Sequence, residues 1–497
     1  IDRASSNLKS YFLQGTYVGK TTLIKALAFG GTEKTYQSWN GIDAATLADK
    51  GRKFNSAGMF TDEAGNDRYY DNETDNYQQD HYQLHWNEKV SGNWSTNLAV
   101  HYTKGKGYYE NYKEDADMAD YNLQAVGAIT TTDLVRQKWL ENDFYGTTFS
   151  ANYKSEKLDV ILGGGWNKYE GDHFGKVIWA RYASKSELGD HYYDDAATKA
   201  DGNIFVKANY QITEKISLFG DLQLRNVHYK ADSWETGEVN DNFNFFNPKA
   251  GLNYDINAKN KLYFSYAKAN REPNRTDYEN GSPRPEKLND FELGWRFKTA
   301  KSQLNVNGYY MRYKDQLVLT GGFDDVGAPI RKNSGDSYRL GLEVDAILKL
   351  SKKWTIAPNF TISSNKNVDF ISDVNGTLTN LGNTNIAYSP EFIAGNMLTF
   401  APITPLRLSL LSKFVSDQYM NNIDDASGKL KDYFVNDFNA SYEIATKSVF
   451  KSIAVNLLVN NIFNVDYVSN GADYGGGYVY YYPQAGANFL VGLTLTF

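Results

Sequence analysis

The chain contains no cysteine and no long apolar segment. The absence of cysteine suits a chain that crosses an oxidising compartment, where a stray thiol would be a liability. No window approaches the roughly 18 to 20 apolar residues that a spanning helix requires, which excludes a helical membrane protein. The mean hydropathy of -0.56 nevertheless remains compatible with a membrane protein in which only every second residue meets lipid.

Strongly basic stretches and catalytic motifs are also missing. The net charge is -7, and no cluster of lysine and arginine could track phosphates, so no nucleic-acid partner is expected. Residues 15–21 resemble a phosphate-binding loop, but three residues separate the glycines where the motif needs four, and we interpret the segment as a turn. No acylation elbow, zinc-type histidine spacing or dinucleotide fingerprint occurs, so the sequence does not predict an enzyme.

Apolar and polar residues alternate along much of the chain with a period of two residues. The C-terminal segment has an apolar face made of Phe489, Val491, Leu493, Leu495 and Phe497. Its polar face is made of Asn488, Gly492, Thr494 and Thr496. About nineteen such stretches are joined by alternately short and long connections, and the 38 tyrosines suit interfacial girdles. The pattern predicts an all-β fold, a transmembrane antiparallel β-barrel.

The predicted strands run about 12 to 16 residues and so project beyond a bilayer. Short turns are predicted near residues 19–20, 91–93, 155–156, 214, 258–260, 300, 351–352, 403–404 and 446–447. Long loops are predicted at residues 33–78, 107–136, 169–199 and 469–477. The first and last strands both end on the short-turn side and run in the same direction. Since the terminal strands of a closed barrel are antiparallel neighbours, we expect an odd number of strands ahead of Ile1.

Three motifs stand in order along the chain. The first is Tyr263-Phe264-Ser265-Tyr266-Ala267 followed by Arg271-Glu272-Pro273. The second is Arg284-Pro285-Glu286 with Phe291-Glu292-Leu293-Gly294. The third is Val459-Asn460-Asn461-Ile462-Phe463-Asn464 with Tyr467. With the terminal Phe497, these motifs make the chain resemble the TonB-dependent outer-membrane receptors over essentially its whole length.

The resemblance implies a barrel of 22 strands, of which residues 1–497 supply about 19, with an N-terminal plug domain and about three strands absent from this chain. It implies an outer-membrane receptor that binds a scarce nutrient, such as a siderophore, cobalamin or similar metal chelate, and imports it with energy from TonB. The implied partners are TonB, the plug, the small-molecule chelate and outer-membrane lipid; a surface lipoprotein partner is left open. The alternatives are a passive porin-like channel, a glycan or oligosaccharide importer of the same fold, and a soluble adhesin-like β-protein.

Aromatic residues in the predicted long loops are candidate ligand-binding residues, because amphipathic rings give contact area and hydrogen bonds at small entropic cost. They are Trp39, Tyr69, Tyr70, Tyr108, Tyr109, Tyr112, Trp179, Tyr182, Tyr192 and Tyr193. The alternative is that these rings only pack the loops together.

Three histidines are expected to face the lumen together. If residues 91–92 centre a hairpin, Leu84 faces Val100 on the lipid side, which places His81, His85 and His101 inward within cross-strand reach. A metal or haem contact is one interpretation, but no histidine lies between Pro273 and Pro285, where haem receptors of the family usually carry one. Ordinary lumen lining is the favoured interpretation.

No resident cofactor or metal site is predicted, but calcium bound by the loops is an open alternative. Acidic pairs supply the oxygen ligands that calcium prefers. They are Asp71 with Glu73 and Asp75, Asp194 with Asp195, Asp324 with Asp325, and Asp424 with Asp425. Solvated loop charge is the commoner explanation of such pairs.

Overall fold

A computed structural model describes residues 1–324, 327–374, 377–446 and 449–497. The chain forms two compact units. The first comprises Ile1–Ile42, Asp49–Tyr210 and Gly220–Pro248, and the second comprises Asp43–Ala48, Gln211–Phe219 and Lys249–Phe497. None of the helices in the described ranges has the length and apolarity needed to cross a membrane.

Strands dominate both units, with two short α-helices and two 3-10 helices between them. The elements up to residue 257 are β1 (Ser5–Val18), β2 (Thr22–Tyr36), α1 (Ala44–Lys50), β3 (Met59–Thr61), β4 (Asp67–Tyr69), β5 (Asp75–Lys89), β6 (Trp94–Asp117), the 3-10 helix Met118–Tyr121, β7 (Thr131–Lys154), β8 (Leu158–Ala180), β9 (His191–Gln211), β10 (Ile216–Ser233) and β11 (Gly237–Asn257).

The remaining elements are β12 (Asn260–Arg271), α2 (Arg275–Glu279), β13 (Glu286–Lys298), β14 (Ser302–Lys314), β15 (Leu317–Phe323), β16 (Pro329–Asn333), β17 (Asp336–Lys349), β18 (Trp354–Asn367), β19 (Ile371–Val374), β20 (Thr377–Asn380), β21 (Thr384–Asn385), β22 (Phe392–Ile403), β23 (Leu406–Val415), β24 (Gln418–Tyr419), the 3-10 helix Ala426–Gly428, β25 (Lys429–Leu430), β26 (Tyr433–Ala445), β27 (Ser452–Asn460), β28 (Val468–Asp473), β29 (Val479–Pro483) and β30 (Asn488–Thr496).

Among the described residues, twenty strands belong to one large sheet. One of them, β21, has only two residues and precedes β22, so nineteen long strands correspond to the nineteen predicted stretches. The other strands form two-stranded hairpins, namely β3–β4, β15–β16, β19–β20, β24–β25 and β28–β29. The strand pairs are antiparallel, and the predicted all-β class is confirmed.

The short connections occur where the alternation predicted them. Hydrogen bonds close several of these turns, for example Gly19 N–H to the Thr22 carbonyl at 2.7 Å and Ser155 N–H to the Leu158 carbonyl at 2.9 Å. Eight predicted turns are confirmed, and the ninth, at Thr446-Lys447, includes Lys447, which lies outside the described residues.

The predicted strand length of about 12 to 16 residues holds for β1, β2 and β5 but is wrong for β6 to β9. Strands β6 and β7 have 24 residues each, β8 has 23 and β9 has 21. The predicted loops at 107–136 and 169–199 are therefore largely strand, and residues 469–477 fall within the β28–β29 hairpin and its tip. The alternation fades because both faces of an extension beyond the bilayer meet water, although the backbone hydrogen bonds continue.

Each long strand has an apolar and a polar face. On the apolar face of β5 and β6, Leu84 lies opposite Val100 and Tyr82 opposite Tyr102, and these side chains are 38 to 48% exposed. Tyr102 lies in turn opposite Tyr145 of β7, which makes a tyrosine row. Such a row beside exposed aliphatic side chains is typical of the girdle at a membrane interface.

The motifs that carry the family resemblance stabilise the second unit. Glu286 Oε2 accepts a hydrogen bond from the Leu317 N–H at 2.9 Å and lies 3.4 Å from Arg271 Nη2. Tyr263 donates from its hydroxyl to Asn307 Oδ1 at 2.9 Å. These side chains stabilise strand ends and contacts between strands. The motif residues therefore have a structural role in the barrel.

Candidate ligand-binding site

The ten candidate aromatic residues all lie in the first unit, and most lie on strands. Tyr108, Tyr109 and Tyr112 are on β6, Trp179 is on β8, Tyr192 and Tyr193 are on β9, and Tyr69 is on the short β4. Trp39, Tyr70 and Tyr182 lie outside the strands. Six of the ten therefore lie on the long strands β6, β8 and β9 of the sheet.

The register divides this set between two faces. Tyr109 lies opposite Lys138 of β7, which lies opposite Gly175 of β8 and then Tyr193 of β9. This row is on the polar face. A Cβ at Gly175 would lie 2.2 Å from Tyr192 Cζ and 2.5 Å from Tyr193 Cε1, so glycine is required for the close approach of these two rings. Tyr108, next in sequence to Tyr109, is on the apolar face.

Tyr109 is held by the connection between β2 and β5. Its ring contacts that of Trp39 edge to face, with centroids 5.0 Å apart. Its hydroxyl donates to Glu73 Oε1 at 3.4 Å. Glu73 is buried, and burial raises the pKa of its carboxyl. The three residues therefore form a packed polar and aromatic cluster at the start of the polar-face row.

A second contact ties the same connection to β6. The Tyr70 hydroxyl donates to Glu110 Oε1 at 2.6 Å, and Gln137 Nε2 donates to Glu110 Oε2 at 2.7 Å. Asn72 Nδ2 also donates to Glu110 Oε1. Burial and the neighbouring Glu110 carboxylate raise the pKa of Tyr70. Tyr70 thus anchors the connection, which supports the alternative that some candidate rings pack loops.

The remaining candidates pack at other places. Tyr112 stacks on Phe60 at 4.4 Å and lies 6.2 Å from Trp179, on the apolar side. The Tyr69 ring is covered by the Arg3 guanidinium at 3.6 Å. Tyr192 packs on Tyr121 with centroids 4.8 Å apart. The Tyr182 N–H donates to Thr132 Oγ1 at 2.9 Å. Of the ten, the register places Tyr109 and Tyr193 in one row of the polar face, and the Tyr192 ring also lies against Gly175 of that row.

The histidine register is as predicted. Gln83 lies opposite His101, and His81 and His85 take the diagonal positions on the same face. Each ring contacts an amide oxygen through Nε2: His101 with Asn167 at 2.8 Å, His85 with Gln83 at 3.0 Å and His81 with Gln79 at 3.1 Å. His81 also stacks on Phe29 at 4.5 Å. Neutral amide partners at these distances fit a polar lining.

A cavity of about 470 Å³ opens among the side chains next to His101. Polar side chains of β5–β9 contribute to its wall, namely His85, Asn97, Thr148, Ser150, Asn167 and Asn203. The sequence analysis missed the asparagines and Lys138. Asn97 could be assigned to the polar face by counting in twos from His101 on the same strand, whereas the faces of Lys138, Asn167 and Asn203 follow only from the register of the other strands. The surface offers amides, hydroxyls, imidazoles and rings, which suits noncovalent binding of a polar ligand.

Several of the acidic residues that were considered as calcium ligands accept hydrogen bonds from the protein itself. Asp424 Oδ1 accepts from the Asn385 N–H at 3.0 Å, and Asp425 Oδ1 accepts from the Ser427 N–H at 3.1 Å. Asp194 contacts His191 at 2.6 Å. Asp325 lies outside the described residues. Across the described ranges, no group of three or more histidine, aspartate or glutamate side chains is placed to hold a metal ion.

Comparisons with known proteins agree on one family. The model for "TonB dependent receptor-like, beta-barrel" matches residues 22–462. A ferric-pyoverdine 358 receptor of Pseudomonas putida is 21% identical over 238 residues, which cover 42% of this chain and 28% of that receptor, so the match spans less than a third of the relative. The siderophore receptor PiuA from Acinetobacter baumannii shares the fold with a TM-score of 0.72 at 15% identity, covering 99% of this chain and 74% of that one. The ferric-catecholate import receptor Fiu from Escherichia coli K12, in its closed form, gives 0.69 at 14% identity with the same coverage.

Proposed function

Since this chain belongs to the TonB-dependent receptor family, outer-membrane β-barrels that are transport receptors and not enzymes, we propose that it binds a ferric chelate and passes it to the periplasm. The predictions of family, fold class and outer-membrane location are confirmed. The proposal narrows the predicted cargo to iron complexes because the relatives' names refer to ferric chelates and siderophores.

The polar-face row carries the proposal. Tyr109 of β6 and Lys138 of β7 lie on adjacent strands, and Tyr193 of β9 continues the row across Gly175 of β8. The row lies further along the strands than the cavity that Asn167 helps to line. A cation between aromatic rings suits an anionic, oxygen-rich chelate, because the rings contact the organic scaffold while the ammonium group meets the negative charge. The side-chain amides that line the cavity, such as that of Asn167, are uncharged donors and acceptors. They can hydrogen-bond a polar chelate of any charge as it passes along the polar face.

Energy for release is expected from TonB, acting through the plug domain that the family resemblance implies. A passive channel of the same fold would instead admit many small solutes at a rate independent of TonB.

The test uses the full-length receptor in an outer membrane from which the native copy has been deleted. Uptake of radioactive iron is measured with several chelates, with and without TonB. We expect one chelate class to be imported only when TonB is present, and Tyr193→Ala and His101→Ala to weaken its binding about tenfold each. Trp166→Ala, next to Asn167 but on the apolar face, is the matched control and should bind as wild type. Equal uptake without TonB would contradict the proposal and favour the channel.

A further inference from the structure

The short-turn end of the second unit is strongly basic. Three of its turns, between β11 and β12, between β13 and β14, and between β17 and β18, carry exposed lysines at their tips or at the adjoining strand ends. We call these residues the lysine rim; its members are Lys259, Lys298, Lys301, Lys349, Lys352 and Lys353. Long connections join the same strands at their other ends, so the rim lies on the side that faces the periplasm in outer-membrane barrels.

No acidic residue balances the charge of the lysine rim locally. Residues 256–261, 296–302 and 347–355 contain no aspartate or glutamate. The acid just before the first of these segments, Asp255, is paired with Lys261 at 3.0 Å. Within the described part of the chain, none of the six rim lysines forms an ion pair. The rim therefore presents its positive charge to the surroundings.

The backbone holds rim lysines of neighbouring strands side by side. The Lys298 N–H donates to the Lys259 carbonyl at 2.9 Å. The Lys349 N–H donates to the Lys301 carbonyl at 2.8 Å. Like charges so placed repel each other across the short distance between hydrogen-bonded strands. An anion between the two ammonium groups replaces this repulsion by attraction, so the arrangement suits a negatively charged ligand.

Aromatic residues of the apolar face adjoin the lysine rim. Phe297 directly precedes Lys298, and its ring lies 6.2 Å from that of Trp295. Trp354 directly follows Lys353 and is 40% exposed. Aromatic rings on a lipid-facing surface mark the level of the lipid headgroups. Since one residue of strand spans only about 3.4 Å, the long lysine side chains are within reach of the headgroup phosphates.

We propose that the lysine rim binds the phosphates of anionic phospholipids, phosphatidylglycerol and cardiolipin, in the leaflet on the short-turn side. Charge complementarity supplies the attraction, and the adjoining aromatic rings favour a phosphate that is anchored at the membrane surface over a free one. The bound lipids hold the short-turn end of the second unit at the level of the headgroups. The proposal is independent of the cargo, whose row of Tyr109, Lys138 and Tyr193 lies in the first unit.

The experiment measures lipid bound to the full-length receptor purified in an uncharged detergent, by native mass spectrometry and by thermal stabilisation. The added lipids are cardiolipin, phosphatidylglycerol and zwitterionic phosphatidylethanolamine, and inorganic phosphate is added in a separate series. We expect the two anionic lipids to stabilise wild type most. Each lysine near an anionic membrane surface strengthens binding about fivefold. Binding of phosphatidylglycerol should therefore weaken at least about tenfold in the triple variant Lys301→Gln, Lys352→Gln and Lys353→Gln.

The matched control removes three exposed lysines on the long-connection side of the same unit and should bind as wild type; its changes are Lys287→Gln, Lys314→Gln and Lys332→Gln. A second triple variant keeps the rim charge and should retain most of the binding, which separates loss of the site from misfolding; its changes are Lys301→Arg, Lys352→Arg and Lys353→Arg.

Two results would overturn the proposal. The first is equal binding of phosphatidylglycerol by the rim glutamine variant and the matched control, since the rim lysines would then contribute nothing. The second is equal stabilisation of wild type by phosphatidylethanolamine or by inorganic phosphate. In that case either the negative charge of the lipid or its place in the membrane would be irrelevant.

Discussion

The Tyr70 hydroxyl lies 2.6 Å from Glu110 Oε1 and donates a hydrogen bond to it. Glu110 is 3% exposed, and its other donors are the side-chain amides of Asn72 and Gln137. A buried carboxylate held by neutral donors is sensitive to the loss of any partner, because each released polar group stays away from water. This contact fixes one end of the β2–β5 connection to the extended sheet.

Replacement of Glu110 should release that connection. Glu110→Ala removes the acceptor of three donors and is expected to cost about 1–3 kcal/mol. Hydrogen exchange should rise in residues 56–74 and remain unchanged in the strands near the short turns. Glu114→Ala is the control, since Glu114 also accepts from this connection, at the Thr61 N–H, but is exposed. If both variants exchange alike, Glu110 does not anchor the connection.

The buried carboxyl of Glu73 predicts a pH dependence. Burial raises its pKa above the ordinary value of 4.5, so the folded state holds this proton more tightly than the unfolded state. The stabilising effect of that proton is fully present below pH 4.5 and is lost as the pH rises through the folded pKa. Glu73→Gln should therefore gain stability relative to wild type on going from pH 4 to pH 8, as measured by thermal unfolding. A Glu73→Gln variant whose difference from wild type is the same at every pH would show that Glu73 has no raised pKa.

The sequence predicts the part of the fold that the bilayer determines. Leu84 and Val100 alternate strictly with polar neighbours, so their pairing and the positions of the short turns follow from the period of two. Beyond Tyr102 both faces of the strands meet water, as the half-exposed side chains of Lys106 and Glu141 show, so the sequence pattern could not distinguish strand from loop. Tyr70 and Glu110 are 40 residues apart, and no local pattern indicates that they touch.

Leu222→Arg should destabilise the protein because it places a charge on the apolar face of β10. Leu222 is 51% exposed on the apolar face of β10, and the next residue, Gln223, is on the polar face, where it accepts from Asn247 at 3.0 Å. Leu222→Arg should cost about 2–4 kcal/mol if the site lies near the bilayer midplane. Gln223→Arg should cost only about 0.5–1.5 kcal/mol, for the lost hydrogen bond from Asn247. Unfolding in lipid vesicles compares the two, and equal costs would mean that the apolar face of β10 does not meet lipid.

Asn461 should be the most sensitive position of the C-terminal motif. It is 4% exposed; its Oδ1 accepts from the Val465 N–H at 2.8 Å, and its Nδ2 donates to the Val465 carbonyl at 2.8 Å and the Ala485 carbonyl at 3.2 Å. Its φ of 47° is in the left-handed region, which asparagine tolerates better than alanine. Asn461→Ala should cost about 2–4 kcal/mol, from the lost hydrogen bonds and the backbone together.

Two further variants separate these contributions. Asn461→Gly loses the hydrogen bonds but tolerates the positive φ, so it should be less damaging than Asn461→Ala. Asn464→Ala is the control, since Asn464 has a φ of 52° and one side-chain hydrogen bond, from Ala487, but is exposed. Urea unfolding in lipid should give the order Asn461→Ala, Asn461→Gly, Asn464→Ala from most to least destabilised. If Asn464→Ala matches Asn461→Ala, the backbone conformation alone accounts for the asparagines of this motif, and the buried hydrogen bonds of Asn461 contribute nothing.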